Sequence, residues 1–331
     1  MSDRIYEIEL FKPSDAAGVA QLFREVYGEG YPVKIVYNPE QLVKAFENGE
    51  YIPVLARTSD NRIVGYTALY RSTPNIGLYE AGQTLVSPDH RKTPVAGLLL
   101  RYTMRAARKL SGIQALFCEA VCNHTHVQKA GILFRYVETA IEIDLMPGDA
   151  YEIEQAASGR VSTLDMFKTY VPKPHIIYIP DVYEDYVRYI YDGFDDSRTL
   201  IASKDGLPSH GLTEMAIQIF DFAQLARVTV HQVGTDFETA FNAEEKRIMD
   251  KDCTIIQVCF KSSWPWIGEV IDVLRNRRFC LGGALPRWFG EDGFLMQKVL
   301  GQPNWEGINL YTERASQILR FIKDDWQGLQ T

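Results

Sequence analysis

The stretch VSPDHRKTPVAGLLLRYTMRAARKLSG, residues 86–112, decides how the chain is read. It leaves an apolar strand, crosses a polar and basic loop and enters an amphipathic helix predicted over 95–110. The first amides of a helix have no partner within it. They point out of an end where the helix dipole adds partial positive charge, which is a ready seat for a phosphate. Arg91 and Lys92 add formal charge, Thr93 suits an N-cap and Pro94 suits the first helical position. The donors are then the amides of Lys92, Thr93, Val95, Ala96 and Gly97. Val95, Leu98, Leu99, Tyr102, Ala106 and Leu110 fall on the inner side, and Arg101, Arg105, Arg108 and Lys109 on the outer. Without a ligand, the same stretch reads as a capped surface helix with ordinary basic residues.

Around this loop the pattern is that of a mixed α/β domain. A strand at 5–11 is followed by helices at 12–28 and 38–50, and then by strands at 51–72 around an SDNR turn. A further strand at 75–88 leads into the loop. After the helix come a buried strand at 113–121, a helix at 126–137 and an alternating strand at 138–148. Residues 149–172 show neither period and are read as a surface connector. A second series runs from Lys173: strand, helix, two strands, a helix at 235–252, a strand at 254–260, a helix at 266–278 and a strand at 279–286. The tail beyond reads as mostly helical. Segments 113–147 and 254–286 share the order strand, polar link, helix ending in arginines, strand, and then MP or LP. That order predicts a divergent internal duplication. The expected domains are therefore 1–148, the connector, and 173–331.

Composition narrows the function. With 46% hydrophobic and 24% charged residues the chain is globular, and no apolar run approaches the roughly 20 residues that span a bilayer. A net charge of −8 argues against nucleic acid or anionic membrane as a partner and favours a cationic or neutral substrate. The start MSDRIYEIEL lacks a leader's apolar core, and five cysteines, an odd number, suit a reducing cytoplasm. Cys118, Cys122 and Cys280 read as buried thiols. His124 and His126 have no third ligand nearby in sequence, and no metal is expected.

With these elements in place, the N-terminal half resembles the GNAT acyltransferases over about residues 5–147. Their signature, Arg/Gln-x-x-Gly-x-Gly/Ala at a strand-loop-helix junction, reads here Arg91-Lys92-Thr93-Pro94-Val95-Ala96, with Pro94 in place of the central glycine. The family's Gly-Phe pair becomes Arg135-Tyr136. The resemblance implies tandem GNAT-like domains, the second divergent and without a phosphate loop. It implies acyl transfer from acetyl-CoA or another acyl-CoA to an amine, either a small molecule or a protein lysine or N-terminus. It places the cofactor along Gln83, Thr84, Leu85 and Val86 and on the loop from Arg91 to Gly97, with Asn123 able to reach the pantetheine arm. Glu80 and Glu119 are the candidate bases, Tyr136 the candidate proton donor, and Tyr27, Tyr31 and Tyr37 the candidate lining of the acceptor pocket. Each also has a plain structural reading: paired carboxylates, a helix cap, rings packed on a sheet edge. The second half would complete the acceptor site or form a homodimer face. The competing function is a catalytically silent acyl-CoA sensor or interaction module, because Pro94 has no N–H to offer a pyrophosphate.

Overall fold

The structure is a computed structural model that describes residues 6–148, 159–194 and 196–330. The chain forms two compact units, 1–117 and 118–331. The boundary between the units falls within a strand.

In the first unit, β1 (Glu7–Leu10), β2 (Tyr51–Arg57), β3 (Ile63–Tyr70) and β4 (Leu78–Val86) pair in sequence order and antiparallel. The start of β5 (Ala115–Val121) then joins β4 in parallel. Helices α1 (Ala16–Tyr27) and α2 (Pro39–Glu47) cover one face, where Val19, Leu22, Phe23 and Leu42 pack on Leu55, Tyr66 and Leu85. Helix α3 (Val95–Ala107) covers the other face, with Val95 and Leu99 on Val54, Ala56 and Val64. Its buried line is Val95, Leu99, Thr103 and Ala107, with Met104 beside it, so Leu98, Tyr102, Ala106 and Leu110 are only half-buried. Gly65 permits the approach: a Cβ there would lie 2.7 Å from Val95 Cγ1.

In the second unit, the rest of β5 is followed by α4 (His126–Leu133), β6 (Val137–Met146) and β7 (Val161–Thr169). Then come β8 (His175–Ile179), α5 (Glu184–Asp192) and β9 (Arg198–Ala202), with β8 and β9 forming a small parallel pair. After these the chain continues through β10 (Glu214–Phe220), β11 (Leu225–Gln232), α6 (Phe237–Met249), β12 (Ile255–Lys261), α7 (Ile267–Arg275), β13 (Cys280–Leu285), β14 (Gly293–Val299) and α8 (Glu313–Gly328). The strand order within this unit is β5-β7-β6-β13-β14-β12-β11-β10.

Three expectations are corrected. The connector, whose residues 149–158 lie outside the described residues, contains β7, a strand whose first seven residues are buried. It escapes a period-two reading because Ser162, Thr163 and Asp165 are buried polar residues among the apolar ones. The tail opens with β14, not with a helix, and β9 lies in a stretch assigned no element.

The two series share a pattern of connectivity. β7 inserts between β5 and β6, and β14 inserts between β12 and β13. In each case two antiparallel strands and a helix come before: β3-β4-α3 leads to a parallel β5, and β10-β11-α6 to a parallel β12.

Candidate active site

The decisive element of the first unit is β4. Its pairs with β5 are Leu78, Tyr79 and Glu80 opposite Ala115, Leu116 and Phe117. From Ala81 to Val86 the strand pairs, within this unit, on the β3 side alone. There it bulges: register shifts between Tyr66 and Ala68, so Thr67 faces both Gln83 and Thr84, and Gln83 adopts φ 55°. A bulge of this kind turns backbone amides out of the ladder and re-aims them. Buried Thr67 holds it, with its hydroxyl 3.2 Å from Gly82 O and 2.7 Å from Thr84 Oγ1.

Glu80 is the last residue of β4 paired with β5. The Tyr70 hydroxyl donates to Glu80 Oε1. Gly82 leaves room for this, because a Cβ there would lie 2.9 Å from Tyr70 Oη. Tyr70 stacks on Tyr51 with ring centroids 5.2 Å apart, and Gln83 Nε2 donates to the Tyr51 hydroxyl at 3.2 Å. Burial pushes the Tyr51 phenol up; the Gln83 bond pulls it back and the Glu80 charge adds to the rise. Gln83 Oε1 is buried without a hydrogen-bond partner, as is the hydroxyl of Tyr66. Tyr51, Tyr66 and Tyr70 are the site residues that sequence reading missed. The signal for Tyr66 and Tyr70 was the alternation of GYTALY on β3 opposite the β4 pattern, while Tyr51 opens β2.

The loop from β4 to α3 is tied down at several points. Ser87 donates to Glu25, which also pairs with Arg62 at 2.9 Å. Burial works to raise the Glu25 carboxyl, but the Ser87 and Arg62 bonds overcome it and hold the group low. His90 Nδ1 lies 3.0 Å from the Tyr6 hydroxyl, and Thr93 Oγ1 donates to His90 O at 2.6 Å. Thr93 is therefore not the N-cap: Pro94 occupies that position, and Thr93 closes the turn before it. Lys92 adopts φ 63°. Arg91, Lys92, Pro94 and Gly97 are exposed, and a Cβ on Gly97 would meet nothing within 4 Å. The start of α3 is open, with the first-turn amides of Ala96 and Gly97 lacking intrahelical acceptors.

Tyr27, Tyr31 and Tyr37 do come together. Phe23 and Tyr31 lie 5.0 Å apart, as do Tyr27 and Tyr31, and the Tyr37 hydroxyl accepts the Tyr31 amide at 3.0 Å. Phe23 also meets Tyr66 at 5.1 Å.

Glu119, Asn123 and Tyr136 belong to the second unit. Glu119 joins Glu142 and Asp165 in a cluster whose oxygens lie within 4.8 Å of one another. Asn123 Oδ1 is buried without a hydrogen-bond partner. Tyr136 is buried, which pushes its phenol well up, and Lys168 Nζ lies 5.9 Å from its ring centroid. Arg287, Trp288 and Asp292 are all buried. The five cysteines are buried thiols, and among the described residues no helix is long and apolar enough to cross a membrane.

The class these observations define is a mixed α/β fold with a bulged strand, a basic loop and an open helix start. No family model and no curated protein matches the sequence. Among solved structures, the chain is similar to a ribosomal-protein-S5-alanine acetyltransferase from Vibrio fischeri, at 11% identity and TM-score 0.40, over 51% of this chain and 95% of that one. It is similar to a protein described as an acetyltransferase of the GNAT family from Desulfovibrio desulfuricans, at 15% identity and TM-score 0.37, over 50% and 99%. It is also similar to an aminoglycoside 6'-N-acetyltransferase complexed with coenzyme A, at 17% identity and TM-score 0.36, over 51% and 99%. At these identities and TM-scores the likenesses carry no argument, and the functional reading rests on the chain's own residues.

Proposed function

We propose that the first unit is an acyl-CoA-dependent N-acyltransferase of the GNAT kind, acting on an amine. The observation that carries this reading is β4, which leaves β5 after Glu80 and bulges at Gln83 beside an open, basic helix start. Acyl-CoA, when bound, supplies an activated thioester. The amides of Ala96 and Gly97, with Arg91 and Lys92, would hold its diphosphate. The edge of residues 81–86 that faces away from β3 would take its extended arm as an added strand. Amides re-aimed by the bulge would polarise the thioester carbonyl. Glu80, held in one orientation by Tyr70, would accept the proton of the attacking amine, and the Tyr27, Tyr31 and Tyr37 cluster would flank the acceptor.

Calorimetric titration with CoA and acetyl-CoA tests binding. Saturable binding is expected, weakened roughly ten- to a hundredfold by Arg91→Ala, the loss of one charge-assisted contact. Thiol release from acetyl-CoA with a panel of primary amines tests turnover and is expected to vanish in Glu80→Gln. A chain that binds no CoA refutes the reading. The exposed Pro94 at the helix start, which withholds one donor, favours a second reading as a silent acyl-CoA binder. CoA binding with no thiol release for any amine would select it.

A further inference from the structure

The second unit contains a buried acidic centre for which the acyl-transfer reading has no use. Glu119 on β5, Glu142 on β6 and Asp165 on β7 bring one carboxylate oxygen each to within 4.8 Å of one another. Glu142 and Asp165 are almost wholly buried. Arg227 on β11 pairs with Glu142 at 3.0 Å and donates to Gln257 Oε1 at 2.7 Å, while Gln257 donates to the same Glu142 oxygen. Glu142 is thus held in one orientation by two neighbours.

A second observation points into this centre. Thr163 is 2% exposed, and its hydroxyl has no hydrogen-bond partner. Thr163 stands directly opposite Glu142 in the β6–β7 ladder and two residues before Asp165. Residues directly opposite across an antiparallel pair share a face, as do positions i and i+2 on one strand. The orphan hydroxyl therefore lies on the face of the sheet that carries Glu142 and Asp165.

We infer that Glu119, Glu142, Asp165 and Thr163 form a binding site for one hard divalent cation of the Mg2+ or Mn2+ class. The donors are all oxygens, the set that suits Mg2+, Mn2+ and Ca2+ and not Zn2+ or copper. One such ion gives the Thr163 oxygen a partner. Arg227 and Gln257 act as positioning residues for Glu142.

The test uses the full chain, stripped with EDTA and titrated with MnCl2 by calorimetry and by loss of the free Mn2+ EPR signal. One Mn2+ per chain is expected, displaced by MgCl2 and accompanied by a rise in Tm. Asp165→Asn is expected to weaken binding at least roughly tenfold. Thr163→Val, close in shape and expected to keep the circular dichroism of the parent, should weaken it several-fold. Absence of saturable Mn2+ binding in the parent, or unchanged affinity in both variants, overturns the proposal. Stabilisation by a diamine with no uptake of Mn2+ also overturns it, since the cluster is then an ammonium site. None of these readouts depends on CoA binding or acyl transfer.

Discussion

Asp292 is wholly buried and takes two cations: His175 at 2.9 Å and Arg198 at 2.6 Å. Burial alone would raise its carboxyl, but the bonds from His175 and Arg198 outweigh this and hold it at about 2. His175 is the converse case. Burial opposes its charge, and the Asp292 bond and charge keep its imidazole above the ordinary 6.5. A carboxyl lowered on folding contributes stability above its unfolded pKa that is lost as pH falls through the folded one. A raised imidazole contributes stability below its unfolded pKa that is lost as pH rises through the folded one. Tm is therefore expected to plateau between about pH 4 and 6.5, to fall toward pH 2 and to fall again above neutrality. Asp292→Asn should flatten the acidic fall, at a cost of about 2 kcal/mol at pH 5, and His175→Gln the alkaline one. A Tm profile unchanged by either substitution counts against the account. In the sequence Asp292 stands in a stretch rich in glycine and aromatic residues, GGALPRWFGEDGF, residues 282–294. Its partners are 117 and 94 residues upstream, beyond the reach of any local pattern.

Among elements, the contrast between β4 and β11 says most. Both are fourth in their series and parallel to the strand that follows their helix. Their first residues pair alike, Leu78 with Ala115 and Leu225 with Ile255, so Glu80 and Arg227 occupy the same position. β4 separates after three pairs and bulges, whereas β11 stays paired with β12 over five, Leu225 to Thr229. At the start of α6, Asp236 accepts the Thr213 amide at 2.7 Å, and Glu238 stands in the first turn, where a phosphate would be repelled. Another element-scale dependence is the β6–β13 ladder. Gly283, opposite Ala140, has φ 142°, and a Cβ there would lie 2.4 Å from Ala140 Cβ and 2.6 Å from Thr139 O. Gly283→Ala is expected to destabilise by about 3 kcal/mol, the sum of backbone strain and overpacking. A denaturant midpoint equal to that of the parent would show the ladder to be dispensable. Helices α1, α2, α3 and α6 were legible because a one-sided apolar stripe repeats within a few residues. β7 and β14 were not, because strands buried on both faces lose the alternation that marks a half-buried one.

For the whole molecule, the two series make a quantitative claim. One carries the bulged strand, the basic loop and the open helix start; the other carries a closed parallel pair, an arginine in place of Glu80 and an acidic helix start. Calorimetry is expected to give one CoA per chain. A stoichiometry of two would mean that the second series kept a competent site and that the closed pairing of β11 and β12 is misread.

The amphipathic helices, the shared order of segments 113–147 and 254–286, and the basic strand-loop-helix junction were determined by the sequence itself. They depend on periodicity and on residues within one turn or loop of each other. The unit boundary inside β5, the bulge at Gln83, the tyrosines around Glu80, the acidic centre of Glu119, Glu142 and Asp165, and the charges around Asp292 were decided by tertiary structure. Each needs strands distant in sequence to be brought side by side, and which strands pair is settled by burial and hydrogen bonding across the whole sheet, not by any local run of residues.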